Sequence, residues 1–417
     1  MVWDWNHISK LDLGLLYKHQ SCIKSAMIYR MILIAVIGML LNLSDNTMDA
    51  LRLHRESLVV DLHCDTLLRL KKGIDISIRD TVGHIDIPRL REGGVDLEVF
   101  ACWIPASTPL EQCRPNVDEM IDTLKAQVSR NQDNIGICTS SAEAESLFSQ
   151  NKIAAFIGIE NGVAIANDLA NLEHFYKRGV RYMTLTHSES SSWCTSSNDD
   201  DPLFDGLTDF GEDVVRKMNE LGMIIDISHA SVRASEKVLA LSKSPVIASH
   251  SCVYAICPHY RNLTDDQIRA IAKSGGVIGI NFYSAYLSKN WYAAVDSFKA
   301  AHKAEFDKAD SLYGNDYAKK QMALSGLYDE MDTILSKHPV DVSDVVDHVD
   351  YIVKLVGSDY VGLGSDFDGV HSLPNGLVDV SMMPNVTREL VKRGYNVEDI
   401  RKILGGNFMR VFKRVCG

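Results

Sequence analysis

The sequence predicts a (β/α)8 barrel, enlarged by helical insertions. Three observations carry this. Short apolar runs rich in β-branched residues recur after residue 57, amphipathic helical patterns fall between many of them, and residues able to do chemistry stand at their C-terminal ends. The runs are Leu58–Leu62, Val95–Ala101, Ile153–Ile159, Tyr182–Thr186, Met223–Ile227, Val246–Ser249, Val277–Asn281 and Val361–Ser365. They are apolar on both faces, as strands buried in a parallel sheet are. A doubly wound open sheet is the alternative, but it would not spend so many strand ends on one site.

Helical periodicity is clearest over Asp168–Arg178, Asp213–Glu220, Ser231–Leu241 and Thr264–Ala272, where Thr264 and Gln267 have capping-box spacing. Two connections exceed an ordinary βα unit. The first, from Ala101 to Ile153, carries Cys102-Trp103-Ile104-Pro105 and a helical pattern near Asn116–Arg130. The second, from Tyr283 to about Asp341, is polar with helical periodicity and reads as helical insertions. Toward the C-terminus helices are expected at Val386–Arg393 and Val397–Leu404. Gly405-Gly406-Asn407 should then stop the helix and cap a new one over Phe408–Val415.

Residues 1–50 read as an N-terminal extension and 51–417 as a single catalytic domain. Met31–Leu43 is apolar apart from Gly38 and Asn42, follows Lys24 and Arg30, and is shorter than the about 20 residues of a membrane span. A secretory signal starting at Met27 fits it best, although no Ala-x-Ala site follows; an N-terminal helix packed on the domain is the competing reading. The formal charge of -12 argues against a nucleic-acid partner. The nine cysteines are scattered without Cys-x-x-Cys spacing, which favours free thiols over a disulfide framework or zinc knuckle.

Barrel active sites lie at the C-terminal ends of the strands. There the sequence places His63 and Asp65, Glu160, His187, His229, His250 and Asp366. His63 and Asp65 alternate onto one side of a strand, with Cys64 facing away. Any one of these could be a capping acid or a satisfied core histidine, but their common register is hard to ascribe to chance. The set exceeds what one tetrahedral ion needs and suits two ions roughly 3.5–4 Å apart. We assign His63, Asp65 and Asp366 to one ion and His229 and His250 to the other, with Glu160 bridging. Nitrogen and oxygen ligands without thiolate fit two Zn²⁺ and leave Mn²⁺, Fe²⁺ or Co²⁺ open. A water shared by two cations would become a hydroxide nucleophile near neutral pH. Asp366 could take its proton and pass it to a leaving amine. His187 could donate to the oxyanion, or be a weak further ligand or a structural histidine. Arg261 could fork onto a substrate carboxylate.

These motifs resemble the membrane dipeptidase (renal dipeptidase) family of binuclear zinc peptidases. The resemblance runs from about residue 57 to the C-terminus. It rests on His63-x-Asp65, Gly158-Ile159-Glu160-Asn161-Gly162, the run Gly179 to His187, Asp226-Ile227-Ser228-His229, Ser249-His250-Ser251, Arg261-Asn262, the run Gly364 to Gly369, and Gly405-Gly406-Asn407-Phe408. It implies a TIM-like (β/α)8 barrel of the metal-dependent hydrolase type, and a homodimer that hydrolyses dipeptides, including those with a C-terminal D-residue. It also implies that Glu160 bridges the ions, that His187 meets the substrate, and that Arg261, with Tyr286 nearby, holds the free carboxylate. The chain departs from mammalian members. Cys257 matches a half-cystine whose partner position is Lys289 here, Ser188-Glu189-Ser190 lacks another half-cystine, and no apolar C-terminal tail offers a lipid anchor. A bacterial type of enzyme, exported to the periplasm or cell envelope, is the expectation, with the cytoplasm as alternative. Another binuclear amidohydrolase acting on a cyclic amide or ester is the runner-up. Many such barrels bridge their metals through a lysine on the fourth strand, which is absent here.

Overall fold

Strands β1 (Val60–Cys64), β2 (Leu97–Trp103), β3 (Ile135–Ile137), β4 (Ile153–Glu160), β5 (Val180–Thr184), β6 (Ile224–Asp226), β7 (Val246–Ala248), β8 (Val277–Ile280) and β9 (Val361–Leu363) make one sheet in the computed structural model. The structure describes residues 49–314 and 317–417. The apolar segment Met31–Leu43, with all but the last two residues of the 1–50 extension, lies outside them. Residues Leu53–Gly417 form a compact unit.

The path β1-β2-β4-β5-β6-β7-β8-β9 is parallel throughout. Its ends nearly close into the expected barrel. Cys64 bridges Phe367, the Asp65 N–H donates to the Phe367 carbonyl at 2.9 Å, and the Asp366 N–H donates to the His63 carbonyl at 3.1 Å. The buried Asp61 carboxylate accepts the Ser365 N–H at 2.7 Å, so a side chain supplies one hydrogen bond of the seam.

All eight expected strands are present, with ends shifted by up to a few residues. The added β3 pairs with Ile153–Ala155 of β4, while β5 pairs with Ile157–Glu160, so the two share one edge of that strand. Three residues are too few to display a period, which is why β3 left no sequence signal.

The barrel interior holds Val60, Leu62, Leu97, Val99, Ala154, Phe156, Tyr182, Ile224, Ile247 and Val277, packed with Phe408 and Phe412 of helix Asn407–Cys416. Phe156 meets Phe412 edge-on at 5.0 Å between ring centroids. The C-terminal helix thus stops the end of the barrel at which the strands begin, leaving the other end to the site.

Helices end where their caps dictate. Asp168, Thr208, Ser231 and Thr264 each accept a backbone N–H at the start of a helix, and the Thr264–Gln267 capping box forms in both directions. The helix expected from Asn116 begins at Leu110 and contains Pro115. The connection after Tyr283 is helical as expected, over Ser284–Leu287, Lys289–Ala301, Lys303–Tyr313, Tyr317–Ala323 and Ser325–Leu335. Gly405-Gly406-Asn407 does not stop a helix. The chain stays helical through a wide turn at Lys402–Gly406, with φ of -56° at Gly406 and -66° at Asn407. Gly405 is small for another reason: a Cβ there would lie 2.6 Å from the Leu58 carbonyl oxygen. Asn407 does not cap; its amide donates to the Ser358 and Val361 carbonyls at 2.7 and 2.8 Å. No helix among the described residues is long and apolar enough to cross a membrane. The eight described cysteines are free.

Candidate active site

The site begins with a fault in β1. Asp61 is in register with Glu98 and Cys64 with Phe100, so β1 spends one more residue than β2 over the same stretch. This bulge breaks the period of two. Leu62 and His63 both turn inward: Leu62 packs in the cluster that contains Tyr182, and His63 Nδ1 lies 2.7 Å from the Tyr182 hydroxyl. Alternation then resumes. Cys64 joins the outer apolar layer, and Asp65 comes back beside His63, with Asp65 Oδ2 3.8 Å from His63 Nε2.

Glu160, the last residue of β4, sits at the centre. Its Oε2 is 3.5 Å from His63 Nε2. Its Oε1 is 3.0 Å from His229 Nε2, 3.3 Å from His250 Nε2 and 3.8 Å from His187 Nε2. Three sets of donor atoms lie within 4.8 Å of one another: His63, Asp65 and Asp366; His63, Glu160 and His250; and Glu160, His187 and His229. The seven residues singled out at the strand ends therefore do converge. In these sets His250 stands with His63 and His187 with His229, while His229 Nε2 and His250 Nε2 are 2.9 Å apart, so the donors form one continuous cluster about Glu160.

Burial sets the protonation. It drives His250 down to about 3 and His229 well below the usual histidine range, helped by His63 in the first case and by Arg261 and His187 in the second. Neutral imidazoles carry the lone pair a cation needs. Burial alone would raise Glu160, but His63 and His187, with His229 and His250 close by, hold it well below the usual carboxylate range. Burial pushes Asp366 up to about 8, opposed by His63 and reinforced by Asp65 and Glu160.

The donors fit a metal. His229 Nε2 and His250 Nε2 face each other at 2.9 Å, while His63 Nε2 and Asp65 Oδ1 are buried without a hydrogen-bond partner among the described residues. Nitrogens and oxygens with no thiolate among them suit a divalent transition metal. His229 and Asp366 hold left-handed backbone, with φ of 68° and 63°, a strain that non-glycine residues adopt rarely and mostly at functional sites.

Arg261 is buried beside this centre. Its Nη2 donates to the His250 carbonyl at 3.1 Å, its Nη1 reaches Ser251 Oγ at 3.4 Å, and its Nε has no hydrogen-bond partner among the described residues. Its guanidinium carbon stands 5.4 Å from the centre of the Tyr286 ring.

A model of the membrane dipeptidase family, peptidase family M19, matches residues 48–416. The chain belongs to that family. Like its relatives, this M19 chain is a metallo-dipeptidase, a metal-dependent hydrolase of dipeptides. Solved structures similar to this chain include the probable dipeptidase PvdM from Pseudomonas aeruginosa, at 29% identity and a TM-score of 0.76 over 89% of this chain and 98% of that one. The dipeptidase AC, a metallopeptidase of family M19, matches at 26% identity and a TM-score of 0.71, covering 87% of this chain and 99% of its own. A metallopeptidase from Rhodobacter sphaeroides, liganded with a phosphinate mimic of L-Ala-D-Ala, matches at 25% identity and a TM-score of 0.70, covering 86% and 99%.

Sequence reasoning passed over residues that touch this centre. Asn281 Nδ2 donates to Asp366 Oδ2 at 2.8 Å, Tyr182 meets His63, and the Trp103 ring stands edge-on to His187 at 5.5 Å between centroids. Polar side chains inside or just after apolar strands were the available signal, and each of these has that placement.

Proposed function

We propose that the dipeptidase works with two zinc ions held about Glu160, and that its substrates include dipeptides with a C-terminal D-residue. The observation that carries this is the sharing of Glu160: Oε2 faces His63 while Oε1 faces His187, His229 and His250. One carboxylate with donors on both oxygens has the form of a bridge. His63, Asp65, His229, His250 and Asp366 would complete the ligand set. When bound, the ions supply Lewis-acid polarisation of the peptide carbonyl and lower the pKa of a water.

The protein's own groups do the rest. Asp366, whose Oδ2 accepts from the Asn281 amide, takes a proton and delivers it to the leaving amine. His187, more exposed than the other imidazoles, donates to the carbonyl oxygen as it gains charge. Arg261 forks onto the free carboxylate, with Tyr286 against it. The bound L-Ala-D-Ala mimic of the Rhodobacter sphaeroides relative supports acceptance of a D-residue. The family resemblance supports a homodimer.

A panel of L,L- and L,D-dipeptides, with tripeptides and N-blocked dipeptides as controls, tests the substrate. Turnover of dipeptides alone, L,D pairs included, is the expected result; turnover of L,L pairs only would remove the D-residue reading. Metal analysis of the reconstituted protein should return two equivalents, and one equivalent would refute the binuclear site.

A further inference from the structure

Asp226 closes β6 inside an otherwise apolar strand and is fully buried. Four donors from three successive strand ends converge on it. Its Oδ2 accepts the Thr184 hydroxyl at 2.5 Å and the Ser249 hydroxyl at 2.6 Å; its Oδ1 accepts the Ser228 N–H at 3.0 Å and the Ser249 N–H at 2.8 Å. Ser249 Oγ also lies 2.8 Å from His250 Nδ1.

The proton order follows from this inventory. Two of the donors to Asp226 are backbone N–H groups, which can only donate, so the carboxylate acts as acceptor. Ser249 has a single hydroxyl proton, and it goes to Asp226. What Ser249 can offer His250 is then a lone pair, and Nδ1 must carry the hydrogen. His250 is left as the tautomer whose Nε2 bears the free lone pair, and that atom faces Glu160 Oε1 at 3.3 Å. Ser249 is also held from its other side: Cβ atoms on Gly279 and Gly364 would lie 2.0 and 1.8 Å from its carbonyl oxygen. The other two imidazoles of the proposed ligand set are served differently. His63 Nδ1 meets the Tyr182 hydroxyl, and His229 Nδ1 is buried without a partner among the described residues.

We propose that Asp226 is a positioning residue that acts through Ser249 to lock His250 in its metal-binding tautomer. The inference rests on His250 being a ligand, as in the reading above. A group that orients the far nitrogen of a metal-bound histidine is worth roughly 10–100-fold in metal affinity.

Asp226→Asn is the sharper of two tests. The Asn amide keeps one oxygen for the two N–H donors and turns its NH₂ toward Thr184 and Ser249. Ser249 then accepts from the amide and donates to His250 Nδ1, which moves the imidazole hydrogen to Nε2. Ser249→Ala removes the link and leaves Asp226 three of its donors. Nitrogen-15 NMR of the metal-stripped full chain reads the tautomer, and Zn²⁺ titration against a chromophoric chelator reads the affinity. The expected results are an Nδ1–H His250 in the wild type, an Nε2–H form in Asp226→Asn, and roughly 10–100-fold weaker binding of one ion in both variants. Variants that bind both ions within about twofold of wild type, or an Asp226→Asn protein that keeps the Nδ1–H form, would overturn the proposal. If neither variant folds, the wild-type tautomer still decides, since an Nε2–H His250 contradicts the relay. A His250→Ala protein that keeps both ions would instead overturn the ligand reading beneath it.

Discussion

Removal of the Arg261 guanidinium should separate substrates by whether they carry a free carboxylate. The side chain is 3% exposed and has five N–H bonds, yet among the described residues it donates only to the His250 carbonyl and Ser251, and its Nε is buried without a partner there. A desolvated cation with donors to spare suits a two-oxygen anion. Each charge-assisted hydrogen bond to that anion is worth about 1.5–2 kcal/mol, so a lost pair amounts to about 3–4 kcal/mol, or roughly 10²–10³ in kcat/KM. Arg261→Ala should therefore lose that factor on a dipeptide and little on the same dipeptide with an amidated C-terminus. The His250 carbonyl keeps only a long 3.5 Å contact from Asn281, so zinc content must be measured in parallel to exclude a disturbed centre. Steady-state kinetics on the two substrates, with elemental analysis of the same preparations, decides it. Equal losses on acid and amide, at normal metal content, would refute a carboxylate anchor.

Glu160→Gln should bring bound metal below two equivalents and activity to background, because one oxygen becomes an NH₂ that faces imidazoles or cations; elemental analysis after dialysis checks it. Gly364→Ala should destabilise the fold by on the order of 2–3 kcal/mol in urea unfolding, since its Cβ would lie 1.8 Å from the Ser249 carbonyl oxygen, backbone against backbone. Stability should also fall in acid through His348. Burial lowers it from 6.5 to about 4, while Nδ1 accepts the Val253 N–H and Nε2 meets the Leu287 carbonyl. The unfolded chain binds a proton below pH 6.5 that the folded chain refuses, so this contribution is whole above 6.5 and drains away as pH falls toward 4, by on the order of 3 kcal/mol. His348→Gln should start less stable but show a flatter pH dependence over that window in denaturant titrations.

The strand pattern and the residue types at the strand ends were legible because both are local. An apolar β-branched run announces a buried parallel strand wherever it occurs, and His63, Glu160, His187, His229, His250 and Asp366 each stand at or just beyond the end of one. The turn chemistry at Thr264 was equally local and formed as read. The same local logic misjudged Gly405-Gly406-Asn407, where smallness answers to the neighbouring Leu58 carbonyl and not to a helix end.

Sequence alone thus determined the barrel, its eight strands and the inventory of candidate metal-binding side chains, since those depend on period and on position along each strand. Tertiary structure decided how that inventory is shared. The bulge that turns His63 inward, the Asp61–Ser365 hydrogen bond that helps bring β9 against β1, the gathering of the imidazoles about Glu160, and the placement of Asp226 behind Ser249 all join residues from strands far apart in the chain. Each depends on register and closure, which emerge only when the strands pair, and no local pattern of residues encodes them.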